Sequence, residues 1–511
     1  MKPDHEVAIV GGGISGLGVG AALKHAGRDD FVIFERADDI GGTWRANTYP
    51  GVAVDIPAFA YQYSYYRNPD WSHLYAPGAE VKAYLDRFAD DMGLRPHLRL
   101  GVDVTARTWD EAGHHWVLTL GDGSTVTARF CVGAIGAFCE PAPPPFPGFE
   151  DFAGKVIRSC DWDHDYDLTG KRVACVGTGA SGLQLIPEVG RVAAHLDVYQ
   201  RTPIWVGVKK DPAIHPRLQR LLARSPLASK LMYKLFAAPV ELFVIKLMTN
   251  YTKAPWVVTA MRKAVAGHHE RSVADPVLRA KVTPDYEYAC KRPSFSNTYL
   301  PTLQMDHVEV VTDTIERFVP EGIRTVDGTV RPVDVVVLAT GFIGAFDPQL
   351  YRMRPVRGRD GFDLAEHWEQ NRLSAYEGLL HPGLPNHFHV FGPYAGIAGT
   401  FHPLVEVAGD FIVRLVGEAE RRGATSVEVT PEAHREYHRR MLRRMKGALW
   451  YNAPCESSGT YYYATHGDVL LVRPTPTKEA RRIARTFPFE HIRFDGPPVA
   501  QPEPRREEVA A

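Results

Sequence analysis

A glycine-rich loop occurs twice in this chain, each time in the same surroundings. Val7–Val10 is a continuous apolar run. It is followed by Gly11-Gly12-Gly13-Ile14-Ser15-Gly16, a small-residue stretch Leu17–His25, and a second apolar run, Phe31–Phe34, that ends at Glu35. Strand, G-x-G-x-x-G, helix, strand and acid is the dinucleotide-binding fingerprint in the context it requires. Its glycines permit a tight turn and the close approach of a pyrophosphate to a helix N-terminus, where free N–H groups and the helix dipole favour an anion. The pattern returns at Arg172–Val176, Gly177-Thr178-Gly179-Ala180-Ser181-Gly182, Leu183–Val189 and Leu196–Tyr199, which leads to Gln200 and Arg201. Gly16 to Glu35 and Gly182 to Arg201 both span 19 residues. The expected fold class is α/β, with two Rossmann-like dinucleotide-binding domains.

The two copies end on opposite charges. A carboxylate at this position accepts hydrogen bonds from ribose hydroxyls and repels a 2′-phosphate, whereas a guanidinium pairs with one. The first site is read as binding FAD or NAD, through Gly11, Gly13, Ser15, Gly16 and Glu35. The second is read as binding NADP, through Gly177, Gly179, Ser181, Gly182, Arg201 and Thr202. The competing reading of Arg201 is a solvated charge at a strand end.

Composition sets the outer bounds. In 511 residues, 59 Lys+Arg stand against 60 Asp+Glu, a net charge of −1, which argues against a general nucleic-acid binder. The polar start Met1–His5 runs straight into an apolar strand without a signal-peptide pattern, so a cytoplasmic protein is expected. Cys131, Cys139, Cys160, Cys175, Cys290 and Cys455 form no CxxC and no metal-ligand spacing. They are read as reduced buried thiols, and no metal site is expected. The apolar stretch Val240–Met248 holds Glu241 and Lys246 and is too short to span a bilayer. It reads as a buried helix or cleft wall, and no membrane partner is expected.

Several breaks divide the chain. Glu140 to Gly148 is proline-dense and reads as a linker. Leu218, Leu221, Leu222, Leu227, Leu231, Met232, Leu235 and Phe236 recur at helical spacing, which predicts a helical insert over the substrate cleft. The expected organisation is a first FAD-binding part at 1–145, a first NADP-binding part at 150–205 and the helical insert at 206–289. A second NADP-binding part at 290–375 and a second FAD-binding part at 376–496 follow. The proline-rich, charged tail 497–511 is expected to be disordered.

Between the glycine loops, Gly41-Gly42-Thr43-Trp44, Tyr49-Pro50-Gly51 and Asp55 follow the pattern G-G-x-W-x4-[FY]-P-G-x3-D. Phe152-Ala153-Gly154 to Trp162-Asp163 follows F-x-G-x3-H-x3-W-[PD], except that Arg158 replaces the histidine. In both patterns the chain resembles the Baeyer–Villiger monooxygenases, the type I, class B flavoprotein monooxygenases that turn ketones into esters or lactones. Cys290-Lys291-Arg292-Pro293 and Ala339-Thr340-Gly341-Phe342 also look like family segments. The counterpart in the first half, Gly133-Ala134-Ile135-Gly136, carries isoleucine where threonine is usual.

The resemblance implies FAD and NADPH as cofactors, with Thr43, Trp44, Asp55, Tyr61, Lys291, Thr340 and Gly341 joining the two sets of glycine-loop contacts. It implies oxygen insertion beside a ketone carbonyl through a C4a-peroxyflavin, with O2 and an apolar or cyclic ketone as partners. Arg292 would hold the peroxide as an anion and Asp55 would hold Arg292. The other readings are a flavin-dependent N- or S-monooxygenase and a catalytically inactive FAD/NADP-binding redox sensor. A disulfide reductase shares the two-dinucleotide plan but needs a redox cysteine pair, which the spacing does not offer. Arg158 puts the coupling between the two nucleotide domains in question. The sequence leaves oligomeric state open.

Overall fold

A computed structural model of the chain describes residues 2–396, 400–464 and 466–496. The expectation for 497–511 lies outside the described residues.

Both glycine loops leave the centre of a parallel sheet. In the first sheet, His5–Val10 lies between Phe31–Glu35 and Thr125–Gly133, parallel to both. Leu98–Leu100 extends one side. The antiparallel strands Val104–Asp110 and His115–Leu120 extend the other. The second sheet runs Val308–Val311, His195–Tyr199, Arg172–Val176, Val335–Leu338, Lys155–Arg158, parallel throughout. Its central strand reads apolar without alternation because both faces are covered.

The two copies share the hydrogen bond that closes the turn. Gly11 N–H donates to Phe34 C=O and Gly177 N–H to Tyr199 C=O, at 2.8 and 3.1 Å. Gly11 (φ +116°) and Gly177 (φ +107°) both occupy backbone that disfavours other residues. A Cβ on either would fall 2.5 Å from a carbonyl of the neighbouring strand, Ala134 or Ala339. The third glycines pack more tightly still. A Cβ on Gly16 would lie 1.8 Å from the Gly11 carbonyl, and one on Gly182 would lie 2.2 Å from that of Gly177. The loop-following helices are Ile14–His25 and Ala180–Gly190, starting three residues earlier than the apolar pattern alone suggests.

Residues 216–282 are mostly helical, with helices at Pro216–Arg224, Pro226–Glu241, Pro255–Ser272 and Pro276–Val282, while Val206–Gly207, at the start of the expected insert, is a strand paired with Ser294–Phe295. Leu242–Met248 forms a π-helix whose Ile245 and Met248 are buried and whose Leu242 is exposed. Although this segment interrupts the second sheet in sequence, Leu222, Ile245, Met248 and Val258 join the first sheet's core. The chain also returns to the first sheet earlier than the boundary at 376 implies. Val356–Arg357 pair with Arg107 and Thr108, and Leu350, Leu364 and Trp368 lie in the same core. A two-residue strand carries too little periodicity to be read from sequence.

The cysteine expectation needs correction. Cys290 and Cys455 form a disulfide with a Cα–Cα distance of 5.3 Å, both residues being buried. The other four are free thiols, of which Cys131 and Cys175 are fully buried. A pair 165 residues apart leaves no spacing signal, so only the fold brings it together.

Candidate active site

The carboxyl ends of the central strands of both sheets open on one cavity of about 1970 Å³. This is where open α/β sheets bind ligands. Gly11, Gly13, Ser15, Glu35, Thr43, Trp44, Asp55 and Tyr61 line it from the first half. Gly177, Gly179, Ser181, Arg201, Thr202, Lys291, Arg292, Thr340 and Gly341 line it from the second. Gly16 and Gly182 do not reach it. Their place is behind the wall, where the absence of a side chain lets the helix close on its own loop.

The first loop is built for an anion and a ribose. Leu17 N–H is the first to bond within the helix, to the Gly13 carbonyl, so the N–H groups of the first turn before it have no partner along the helix. Gly41 N–H donates to the Gly12 carbonyl at 3.0 Å, and a Cβ on Gly13 would meet Gly42 Cα at 3.4 Å. Two glycine segments thus lie back to back and form a cradle that side chains would fill. Glu35 is held by Gly12 N–H at 2.7 Å and Ala37 N–H at 2.9 Å, one to each carboxylate oxygen. These bonds fix the carboxylate at the cavity edge with acceptor capacity left for ribose hydroxyls. The donor set fits an adenine dinucleotide.

The second loop faces two cations. Arg201 is exposed and Lys291 is half-buried. Burial, and then the nearby Arg201 guanidinium, lower the Lys291 ammonium to about 8. Such a pair is unfavourable without a counter-ion and suits a 2′-phosphate.

Arg292 and Asp55 meet across 237 residues of sequence. Arg292 Nε lies 2.5 Å from Asp55 Oδ2, and Nη2 donates to Oδ1 at 2.8 Å, a bidentate fork. The Asp55 carboxylate raises the guanidinium further above its ordinary range, so Arg292 keeps its charge at every working pH. Ala289, three residues earlier, has φ +69°, a conformation that costs on the order of 1 kcal/mol for a residue with a Cβ. The adjacent Cys290–Cys455 bridge anchors the segment and ties it to the chain leading to Tyr461. Tyr461 and Tyr463 line the cavity, whereas Tyr462 packs edge-on against Trp450 at 5.3 Å. Also on the cavity wall, Trp44 Nε1–H donates to Tyr61 Oη at 3.0 Å. Burial pushes the Tyr61 phenol up to about 12, which keeps it a neutral donor.

The residue that sequence reading missed is Gln184, on the helix after the second glycine loop. Its Oε1 accepts from Tyr49 Oη at 2.8 Å, and its Nε2–H donates to the Ala53 carbonyl at 2.9 Å. Gly51 (φ +84°) turns directly above it, where a Cβ would fall 2.7 Å from the Gln184 carbonyl. The Tyr49-Pro50-Gly51 segment therefore docks the first half onto the second. Arg158, the departure from the linker pattern, ends strand Lys155–Arg158 opposite Leu338, while Trp162 packs on the second core.

With this geometry in place, comparison with known proteins is decisive. Residues 4–248 match the family model described as flavin-binding monooxygenase-like. A Baeyer–Villiger monooxygenase of Pseudomonas aeruginosa is 35% identical, over 97% of this chain and 92% of its own. The chain belongs to the Baeyer–Villiger monooxygenases. Another, from Streptomyces coelicolor, is 36% identical over 97% of this chain and 93% of its own. The solved structure titled OTEMO complex with FAD and NADP superposes with a TM-score of 0.84, covering 97% of this chain and all of that one, at 24% identity. It shares the fold. As a family member the chain is a flavin-dependent monooxygenase. That membership, rather than the lack of a cysteine pair, sets aside the disulfide reductase reading. Among the described residues no helix is long and apolar enough to cross a membrane.

Proposed function

We propose that this enzyme, working in the cytoplasm, uses NADPH and O2 to convert an apolar or cyclic ketone into an ester or lactone. The observation that carries the proposal is the Arg292–Asp55 fork on the wall of the cavity shared by both glycine loops. FAD, when bound, supplies the redox chemistry, accepting hydride from NADPH and activating dioxygen. Every other task falls to side chains. Glu35 orients the ribose in the first half. Arg201 and Lys291 select the phosphorylated nicotinamide nucleotide in the second. Arg292 lends a fixed positive charge to oxygen atoms that become negative as the carbonyl is attacked, and Asp55 holds the guanidinium plane. Tyr461 and Tyr463 offer the apolar wall against which a ketone can lie.

Steady NADPH oxidation stimulated by cyclic ketones, with lactone in the extract, tests the reading. Stimulation by amines or sulfides alone would replace it with N- or S-oxygenation. Two further outcomes concern the nucleotide. Arg201→Ala should raise the KM for NADPH about 30-fold, the equivalent of one charge-assisted contact, and leave the KM for NADH unchanged. Equal losses for both would remove Arg201 from the phosphate site. Lys291 is charged below about 8 and neutral above it. The KM for NADPH should therefore climb as pH rises through that value, while the KM for NADH stays level.

A further inference from the structure

The helices of residues 216–282 carry apolar side chains on the face turned away from the core. Leu227, Leu231, Leu235 and Leu242 are 77%, 66%, 61% and 56% exposed. The first three, at i, i+4 and i+8, form a ridge along helix Pro226–Glu241. The neighbouring face of that helix, one residue further on, is satisfied already. Ala228, Met232 and Phe236 pack against the first core, and Phe236 stacks on Phe59 at 5.5 Å, four residues after Asp55. The leucine ridge therefore serves neither the core nor the cavity. Trp256, 71% exposed, adds a second apolar anchor in the same segment.

Charge identifies what covers the ridge. Between residues 212 and 263 there are nine Lys or Arg and one acid, Glu241, in a chain whose overall net charge is −1. Eight of the nine are exposed: Arg217, Arg220, Arg224, Lys230, Lys234, Lys246, Lys253 and Lys263. Among the described residues none of the eight has an ion-pair partner, while Arg262 is paired with Glu287. Lys230 and Lys234 each immediately precede a leucine of the ridge. Their stems can lie along the apolar strip with the ammonium groups raised to its edge.

We propose that this face docks on an anionic lipid surface, with Leu227, Leu231 and Leu235 entering the headgroup–acyl boundary and the surrounding Lys and Arg meeting the lipid phosphates. An interfacial helix has this character: apolar on one strip, basic at its flanks, and lying in the membrane plane rather than across it. A second copy of the chain fits less well, because a two-fold pairing of the same face would set the cations against themselves. This departs from the expectation that the protein has no membrane partner, which rested on the short apolar stretch Val240–Met248 and not on the leucine ridge before it. It stands independently of the ketone reading.

The test is flotation of the FAD-loaded enzyme with vesicles of equal phosphatidylglycerol and phosphatidylcholine, against vesicles of phosphatidylcholine alone. The enzyme should float with the first and not with the second, and about 0.5 M salt should release it. Leu231→Ser with Leu235→Ser, and separately Lys230→Glu with Lys234→Glu, should each weaken partition about tenfold or more. Flavin content, melting temperature and NADPH oxidation with a water-soluble ketone should stay at wild-type values. Failure of the wild-type enzyme to float with anionic vesicles would overturn the proposal. So would flotation that neither double variant weakens. Variants whose sole effect is to dissociate an enzyme dimer, or to release an acidic protein, would overturn it too.

Discussion

Arg292→Ala should still reduce its flavin with NADPH but should lose ester formation by two to three orders of magnitude. Removing one preorganised donor from a developing oxyanion costs about 3–4 kcal/mol of barrier. Arg292 is placed to be such a donor by its fork to Asp55, the strained Ala289 turn and the bridge at Cys290. Hydride transfer depends instead on the two nucleotides being held together, a task that falls to other residues. Anaerobic bleaching of the flavin band by NADPH and chromatography of the ester measure the two halves separately. Arg292→Lys should recover part of the ester yield, since it keeps the charge and loses the fork. Ester at near wild-type rate from Arg292→Ala would move the catalytic cation elsewhere.

Stability should fall steeply as pH drops from 7 to 5.5, because the chain buries an unusual set of histidines. His381, His387, His389 and His402 are at most 4% exposed. Burial holds His389 and His402 near 3 and His434 and His269 near 4, with His381 and His387 also well below their ordinary value. Neither ring nitrogen of His387 or His402 finds a partner among the described residues. The unfolded chain protonates each near 6.5 and the folded protein does not, so between these values the unfolded state binds more protons and gains. At pH 5.5 each such histidine costs about 1.4 kcal/mol, and six of them approach the stability of a typical domain. Glu6, Glu406, Glu428 and Asp197, whose carboxyls burial raises, act in the opposite direction. Urea midpoints from pH 8 to 5.5 measure the slope. His402→Gln removes one basic site and should make it shallower. A flat profile would mean the imidazoles are not buried in neutral form.

The functional site was legible unevenly. Glycine loops are local devices, since turn, helix start and close strand all lie within one stretch of sequence. Both were therefore readable, including the opposite charges of Glu35 and Arg201. Gly16 and Gly182 belonged to the same pattern, yet they turned out to shape the loop rather than line the cavity. Gln184 carried no such signal. A lone glutamine on a helix becomes a joint only when Tyr49 and Ala53 arrive from the other half of the molecule.

The sequence by itself determined the two sheets, the charge that ends each glycine-loop unit and the family, because these depend on contacts between near neighbours and on side-chain charge. Tertiary structure decided the Cys290–Cys455 pairing, the return of Val356–Arg357 to the first sheet and the meeting of Arg292 with Asp55. It also decided which face of helix Pro226–Glu241 remains bare. Helical spacing shows that Leu227, Leu231 and Leu235 share a side, but only the packing of Phe236 on Phe59 shows that this side looks outward. Long-range contacts leave no periodic trace in the chain, and burial is a property of what arrives from elsewhere.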